Sequence, residues 1–128
     1  MPVKILIADD QPQIRNLVKS MLSEYLVLQA SSGEEALRVV RESQPDLVIM
    51  DILMPGMDGL TACSQIKADP ATAEIPVLVL TIIDHDLNRR FANNLGADGY
   101  VTKPFTAEQL RQAVVRHLKP AEKTGPAV

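Results

Sequence analysis

The sequence predicts a doubly wound α/β domain built on a parallel sheet. Three observations carry this. Short apolar runs alternate with amphipathic stretches five times along the chain. The apolar runs are hydrophobic at successive positions, as in strands covered by helices on both faces. A length of 128 residues suits one such domain, since domains commonly run to about 100–150 residues.

The first strand is the run Val3 to Ala8, followed by Asp9-Asp10-Gln11-Pro12. Proline fits the first turn of a helix, where its missing N–H would be unpaired anyway. Ile14, Leu17, Val18, Met21 and Leu22 then recur at helical spacing and predict one apolar face. Tyr25 to Ala30 reads as the second strand. Ser32 with Glu35 three residues on has the form of a capping box, opening a helix with Ala36, Leu37 and Val40 inward and ending near Ser43.

Leu47-Val48-Ile49-Met50, within Asp46 to Asp51, is the third strand, and a Pro- and Gly-containing loop follows from Leu53 to Gly59. Leu60, Cys63 and Ile66 mark a helix stopped near Asp69-Pro70. Val77 to Ile83 is the fourth strand. Leu87, Phe91 and Leu95 form a narrow helical stripe, and Gly96 stands where a left-handed cap belongs. Tyr100 and Val101 belong to a short fifth strand. Thr106 with Gln109 offers a second capping box, ahead of a last helix with Leu110, Ala113, Val114 and Leu118 on its apolar face. The domain is therefore expected over residues 1–118, with 119–128 as a tail or linker.

Composition excludes several function classes. There are 13 basic and 16 acidic side chains, a net charge of −3, and only 3% aromatic residues. That is not the basic surface of a nucleic-acid groove, nor a base-stacking platform. The single cysteine, Cys63, excludes a disulfide framework and a multi-cysteine zinc site, and is expected as an inert buried thiol. No apolar run approaches the roughly 20 residues needed to cross a bilayer, and no signal peptide is visible. A cytoplasmic protein is expected.

In a doubly wound sheet, ligands bind outside the carboxyl ends of the strands. The predicted strands one, three, four and five end at Asp9-Asp10, Asp51, Thr81 and Lys103-Pro104, so three carboxylates, a hydroxyl and an ammonium converge on one rim. An acidic pair alone says little, since about two are expected by chance in this composition, and Glu34-Glu35 suits a helix N-terminus. Asp9-Asp10 and Asp51, each ending a buried strand, are different. Three clustered carboxylates repel, and Lys103 alone cannot neutralise them. Oxygen donors without His or Cys suit Mg2+. A hard cation beside a carboxylate, a hydroxyl and a lysine suggests phosphoryl chemistry, with a carboxylate able to act as nucleophile.

At this point the chain resembles the receiver domain of two-component response regulators, from residue 3 to about 118. The matching residues are Asp9-Asp10, Asp51 with Met54-Pro55-Gly56-Met57-Asp58-Gly59, Thr81, and Lys103-Pro104-Phe105. The resemblance implies a flavodoxin-like (βα)5 fold with strand order 2-1-3-4-5. It implies that Asp51 takes a phosphoryl group from a sensor histidine kinase or phosphotransfer protein. Asp10 would bind Mg2+ directly, Asp9 largely through water, and the Leu53 carbonyl would be a further ligand. Lys103, before a cis peptide to Pro104, would pair with Asp51 and then with the phosphoryl group. Thr81 and Tyr100 would form the switch, coupling the site to the face of the fourth helix, fifth strand and last helix. A downstream effector or a second copy of the chain would read that face, whose exposed residues include Arg89, Arg90, Asn93, Asn94 and Arg111. On such a reading the chain is a signalling switch and not an enzyme.

Each residue also has a plain structural reading. Thr81 suits any strand, Tyr100 can fill core, Phe105 is expected in the core, Met54 and Met57 as loop packing, and His85 and His117 at the surface. Ile82 is bulkier than the residue receivers usually carry after the switch threonine. Leu53 and Ile83 replace positions that are often polar, which predicts slow self-catalysed loss of the phosphoryl group. An FMN-binding flavodoxin would need a hydroxyl- and glycine-rich phosphate loop where Asp9-Asp10 stands. A haloacid-dehalogenase-type phosphatase would need a second aspartate where Leu53 stands. A pseudo-receiver acting only as a phosphorylation-independent binding module is the remaining alternative.

Overall fold

A computed structural model describes residues 2–81 and 96–118. Five parallel strands, β1 (Lys4–Ala8), β2 (Leu26–Ala30), β3 (Leu47–Asp51), β4 (Val77–Thr81) and β5 (Gly99–Thr102), form one sheet in the order β2-β1-β3-β4-β5. The flavodoxin-like topology is as expected. Four helices are described: α1 (Pro12–Met21), α2 (Gly33–Ser43), α3 (Gly59–Ala68) and α4 (Ala107–His117). The expected helix around Leu87 to Leu95 lies outside the described residues, as do Ile82, Ile83, His85, Arg89, Arg90, Asn93, Asn94 and residues 119–128.

Strand residues alternate between two cores. Leu6, Ala8, Val48, Met50, Val77 and Val79 pack with Ala36, Leu37 and Val40 of α2 and Ala62, Cys63 and Ile66 of α3. Ile5, Ile7, Leu47, Ile49, Leu78, Leu80 and Val101 pack with Val18, Leu22, Leu110, Val114 and Leu118 on the other face. Burial on both faces explains why β3 and β4 read as unbroken apolar runs. Met54 is buried and Met57 packs beside it, so both are loop packing, and Phe105 packs against the second core. The Cys63 thiol is buried, and desolvation pushes it up to about 11, as an inert thiol requires.

The helix starts are set by their caps. Thr106 accepts from the Gln109 N–H, and the Gln109 side chain accepts from the Thr106 N–H, completing the expected capping box. At α2 only half of it forms. Ser32 accepts from the Glu35 N–H at 3.1 Å, but the Glu35 carboxylate reaches one residue further back, to the Ser31 N–H and hydroxyl. Gly96 has a positive φ of 89°, the conformation expected there.

The expectation of a surface His117 is corrected, and Leu17 and Arg111 gain specific surroundings. Leu17 is 44% exposed and lies off the buried face of α1, in an apolar groove with Ile14, Pro104 and Phe105. His117 is half-buried, with Nδ1 2.9 Å from the Ala113 carbonyl oxygen and its ring over Gly99. Arg111 is exposed, as expected, and has partners there. Its Nε donates to the Met21 carbonyl at 3.0 Å and lies 3.8 Å from Glu24, tying α4 to the end of α1.

Candidate functional site

The site lies at the carboxyl ends of β1, β3, β4 and β5, and strand register assembles it. Ala8 pairs with Met50, so Asp9 and Asp51 leave the sheet side by side. Thr81 pairs with Thr102, so Lys103 leaves next to the end of β4, its N–H donating to the Thr81 carbonyl at 2.7 Å. By strand alternation Asp9, Asp51 and Lys103 belong to the α1 and α4 face of the sheet, and Thr81 and Tyr100 to the other.

Asp9 is fully buried. Its N–H donates to the Ala30 carbonyl at 3.1 Å, one carboxylate oxygen accepts from the Gln11 N–H at 2.9 Å, and the other lies 3.2 Å from Lys103 Nζ. The same ammonium is 3.4 Å from Asp51 Oδ1. Asp51 is buried, and its carboxyl is pushed above its ordinary value. Burial is the main cause and the Asp9 charge the second, while Lys103 and the Leu53 backbone N–H pull the other way. Asp10 is the exposed member of the group.

Asp9, Asp10 and Asp51 each offer a carboxylate oxygen within 4.8 Å of one another. One ammonium cannot balance three carboxylates, and the donors are all hard oxygens. The set therefore fits a hard divalent cation such as Mg2+.

The expected switch residues occupy the neighbouring strand ends. Thr81 is buried at the end of β4. Tyr100, paired with Val79, is half-buried against the core on the α2 and α3 side. The peptide between Lys103 and Pro104 is cis. Leu53, whose backbone N–H bonds to Asp51, is 61% exposed.

Two further residues support the site, Gly59 of the quoted motif, whose role sequence left unstated, and Arg15, which sequence reasoning missed. Gly59, the first residue of α3, donates its N–H to the Ile52 carbonyl at 2.9 Å. A Cβ there would collide with the Asp51 carbonyl oxygen and lie 3.0 Å from Ile52 Cα. Arg15 of α1 donates to the Asp9 carbonyl at 2.8 Å and to Gln29 Oε1 at 3.0 Å. The only signal for Arg15 was its proximity to the Asp9-Asp10 loop.

A profile of the response regulator receiver domain matches residues 5–115. The chain belongs to the response regulator receiver family. As a receiver it is 40% identical over 123 residues to the probable transcriptional regulator ycf27 of Guillardia theta, covering 92% of this chain and 47% of that protein. It is 36% identical over 129 residues to the alkaline phosphatase synthesis transcriptional regulatory protein PhoP of Bacillus subtilis, covering 99% and 53%. The receiver thus spans about half the length of these curated relatives. Among solved structures it superposes on Vibrio cholerae CheY4 with a TM-score of 0.88 at 30% identity, covering 92% of this chain and 100% of that one. The receiver domain of a Syntrophus aciditrophicus signal transduction histidine kinase gives 0.85 at 35% identity, covering 97% and 96%. Receivers are signalling switches rather than enzymes, and membership implies a histidine-kinase partner. No helix among the described residues is long and apolar enough to cross a membrane.

Proposed function

We propose that Asp51 is the phosphoacceptor of a two-component phosphorelay, within a receiver body spanning residues 1–118 in the cytoplasm. The observation that carries this is the buried Asp51 carboxylate at the end of β3, sharing the Lys103 ammonium with Asp9 and with its pKa raised. An Asp51 oxygen attacks the phosphorus of a phosphohistidine. The P–N bond breaks as the new P–O bond forms, leaving an acyl phosphate on Asp51.

Lys103, already at Asp51, stays with the transferred group and offsets its charge. Thr81 then closes on a phosphoryl oxygen and Tyr100 turns inward, which changes the face that a downstream effector or a second copy reads. Asp10, Asp51 and the Leu53 carbonyl would hold Mg2+ directly. Asp9, whose oxygens are engaged by Gln11 and Lys103, would contribute largely through water. Bound Mg2+ supplies charge neutralisation at the transferring oxygens.

The apolar groove of about 420 Å³ lined by Ile14, Leu17, Pro104 and Phe105 runs up to Lys103. It suits the docking of a helical phosphodonor beside Asp51. The exposed Leu53 beside Asp51 disfavours an ordered attacking water, so the phosphoryl group is long-lived.

The test is incubation with acetyl phosphate, with and without Mg2+, followed by intact mass, with Asp51→Ala alongside. A single Mg2+-dependent phosphoryl gain, lost in Asp51→Ala, supports the reading. No modification, together with metal-independent partner binding, would instead make the domain a pseudo-receiver.

A further inference from the structure

We propose that Arg15 is a positioning residue for the cation site, holding the Asp9–Asp10 peptide so that Asp10 stands ready beside Asp9 and Asp51. The inference rests on the reading of those three aspartates as the Mg2+ site. Asp10 is exposed, so its backbone must place it. Asp9 is already held at its N–H by Ala30 and at its carboxylate by Gln11 and Lys103. Its carbonyl, which belongs to the peptide leading into Asp10, is held by the Arg15 guanidinium at 2.8 Å. The same guanidinium donates through Nε to Gln29 Oε1 at 3.0 Å, one residue before the carboxyl end of the edge strand β2. One planar fork thus spans the end of β1 and a second strand, and a lysine cannot reproduce such a span.

Charge and position make opposite predictions. A guanidinium bonded to the Asp9 carbonyl would repel a cation arriving at the neighbouring carboxylates, so if Arg15 acted only as a charge, its removal would tighten Mg2+ binding. If it acts by holding the peptide, its removal weakens binding, as loss of an outer partner of a metal ligand generally does.

The experiment is calorimetric Mg2+ titration of the full chain and of Arg15→Met, Arg15→Lys and Gln29→Leu, with thermal melts in the absence of Mg2+ to establish folding. The expected result is affinity about tenfold weaker in Arg15→Met, and weaker in the same direction in Arg15→Lys and Gln29→Leu. Gln29→Leu keeps the guanidinium and so decides the matter if an Arg15 variant does not fold. Wild-type or tighter affinity in Arg15→Met, wild-type affinity in Arg15→Lys, or no effect of Gln29→Leu overturns the proposal. Failure of the wild type to bind Mg2+ overturns the reading of the aspartates, and this inference falls with it.

Discussion

The Lys103 ammonium lies 3.2 Å from a carboxylate oxygen of Asp9, a side chain with no solvent exposure. It reaches Asp51 at the slightly longer distance of 3.4 Å. One cation is thus shared between two buried acids, and Asp51 is the less well neutralised of them.

Asp51 is consequently a stability cost in the unmodified protein. Its pKa is raised by burial and by Asp9, so the folded state binds its proton more tightly than the unfolded state does. The penalty is absent below the ordinary carboxylate range and complete above the raised value. Asp51→Asn is expected to stabilise the Mg2+-free protein at neutral pH by about 1 kcal/mol, or about 4 °C in melting temperature. The gain should shrink as pH falls into the carboxylate range. Thermal melts across pH check this; no gain at neutral pH contradicts it.

Lys103→Met should do the reverse. It leaves Asp9 and Asp51 facing each other without their ammonium, at a cost of about 3 kcal/mol. Because Mg2+ binds the folded site, it should recover about 1.4 kcal/mol at ten times its dissociation constant. Denaturant titrations with and without Mg2+ measure both quantities, and an indifferent Lys103→Met would contradict the shared-cation geometry.

Leu53→Asn should shorten the lifetime of the phosphorylated protein severalfold, by placing a polar group where an exposed apolar side chain now stands. The decay of phosphorylated protein after donor removal gives the rate. An unchanged rate means Leu53 does not govern water access.

Gly59→Ala should cost about 2 kcal/mol through overpacking and should slow phosphorylation, because the added methyl meets the backbone carbonyl of Asp51 itself. Unfolding midpoints and initial phosphorylation rates report the two effects separately. Wild-type values for both would show that the loop moves aside freely.

Most of the fold was legible because burial on both faces leaves an unmistakable pattern. Val48 to Met50 and Val77 to Leu80 could be little other than central strands. The edge strand β2 was legible only in outline, since its Leu26 is exposed and strand propensity does not reveal which face is covered. A related limit applies to Leu17. Helical spacing identifies an apolar stripe but not how much of it the core can cover, and the remainder lines the groove beside Pro104 and Phe105.

At the site, chain order placed Asp9, Asp51 and Lys103 at strand ends. What sequence could not supply was register, which decides that Lys103 reaches Asp9 as well as Asp51. Nor could it reveal the fork of Arg15 on a backbone carbonyl, since a backbone acceptor leaves no mark in side-chain identity.

The most direct measurement is the identity of the modified residue. After reaction with acetyl phosphate and Mg2+, borohydride reduction converts an acyl-phosphate aspartate to homoserine, and peptide mapping locates it. Homoserine at position 51, dependent on Mg2+ and on the phosphodonor, is the predicted result. Homoserine at another aspartate, or none at all in a protein that binds Mg2+, would contradict the assignment of Asp51 as phosphoacceptor.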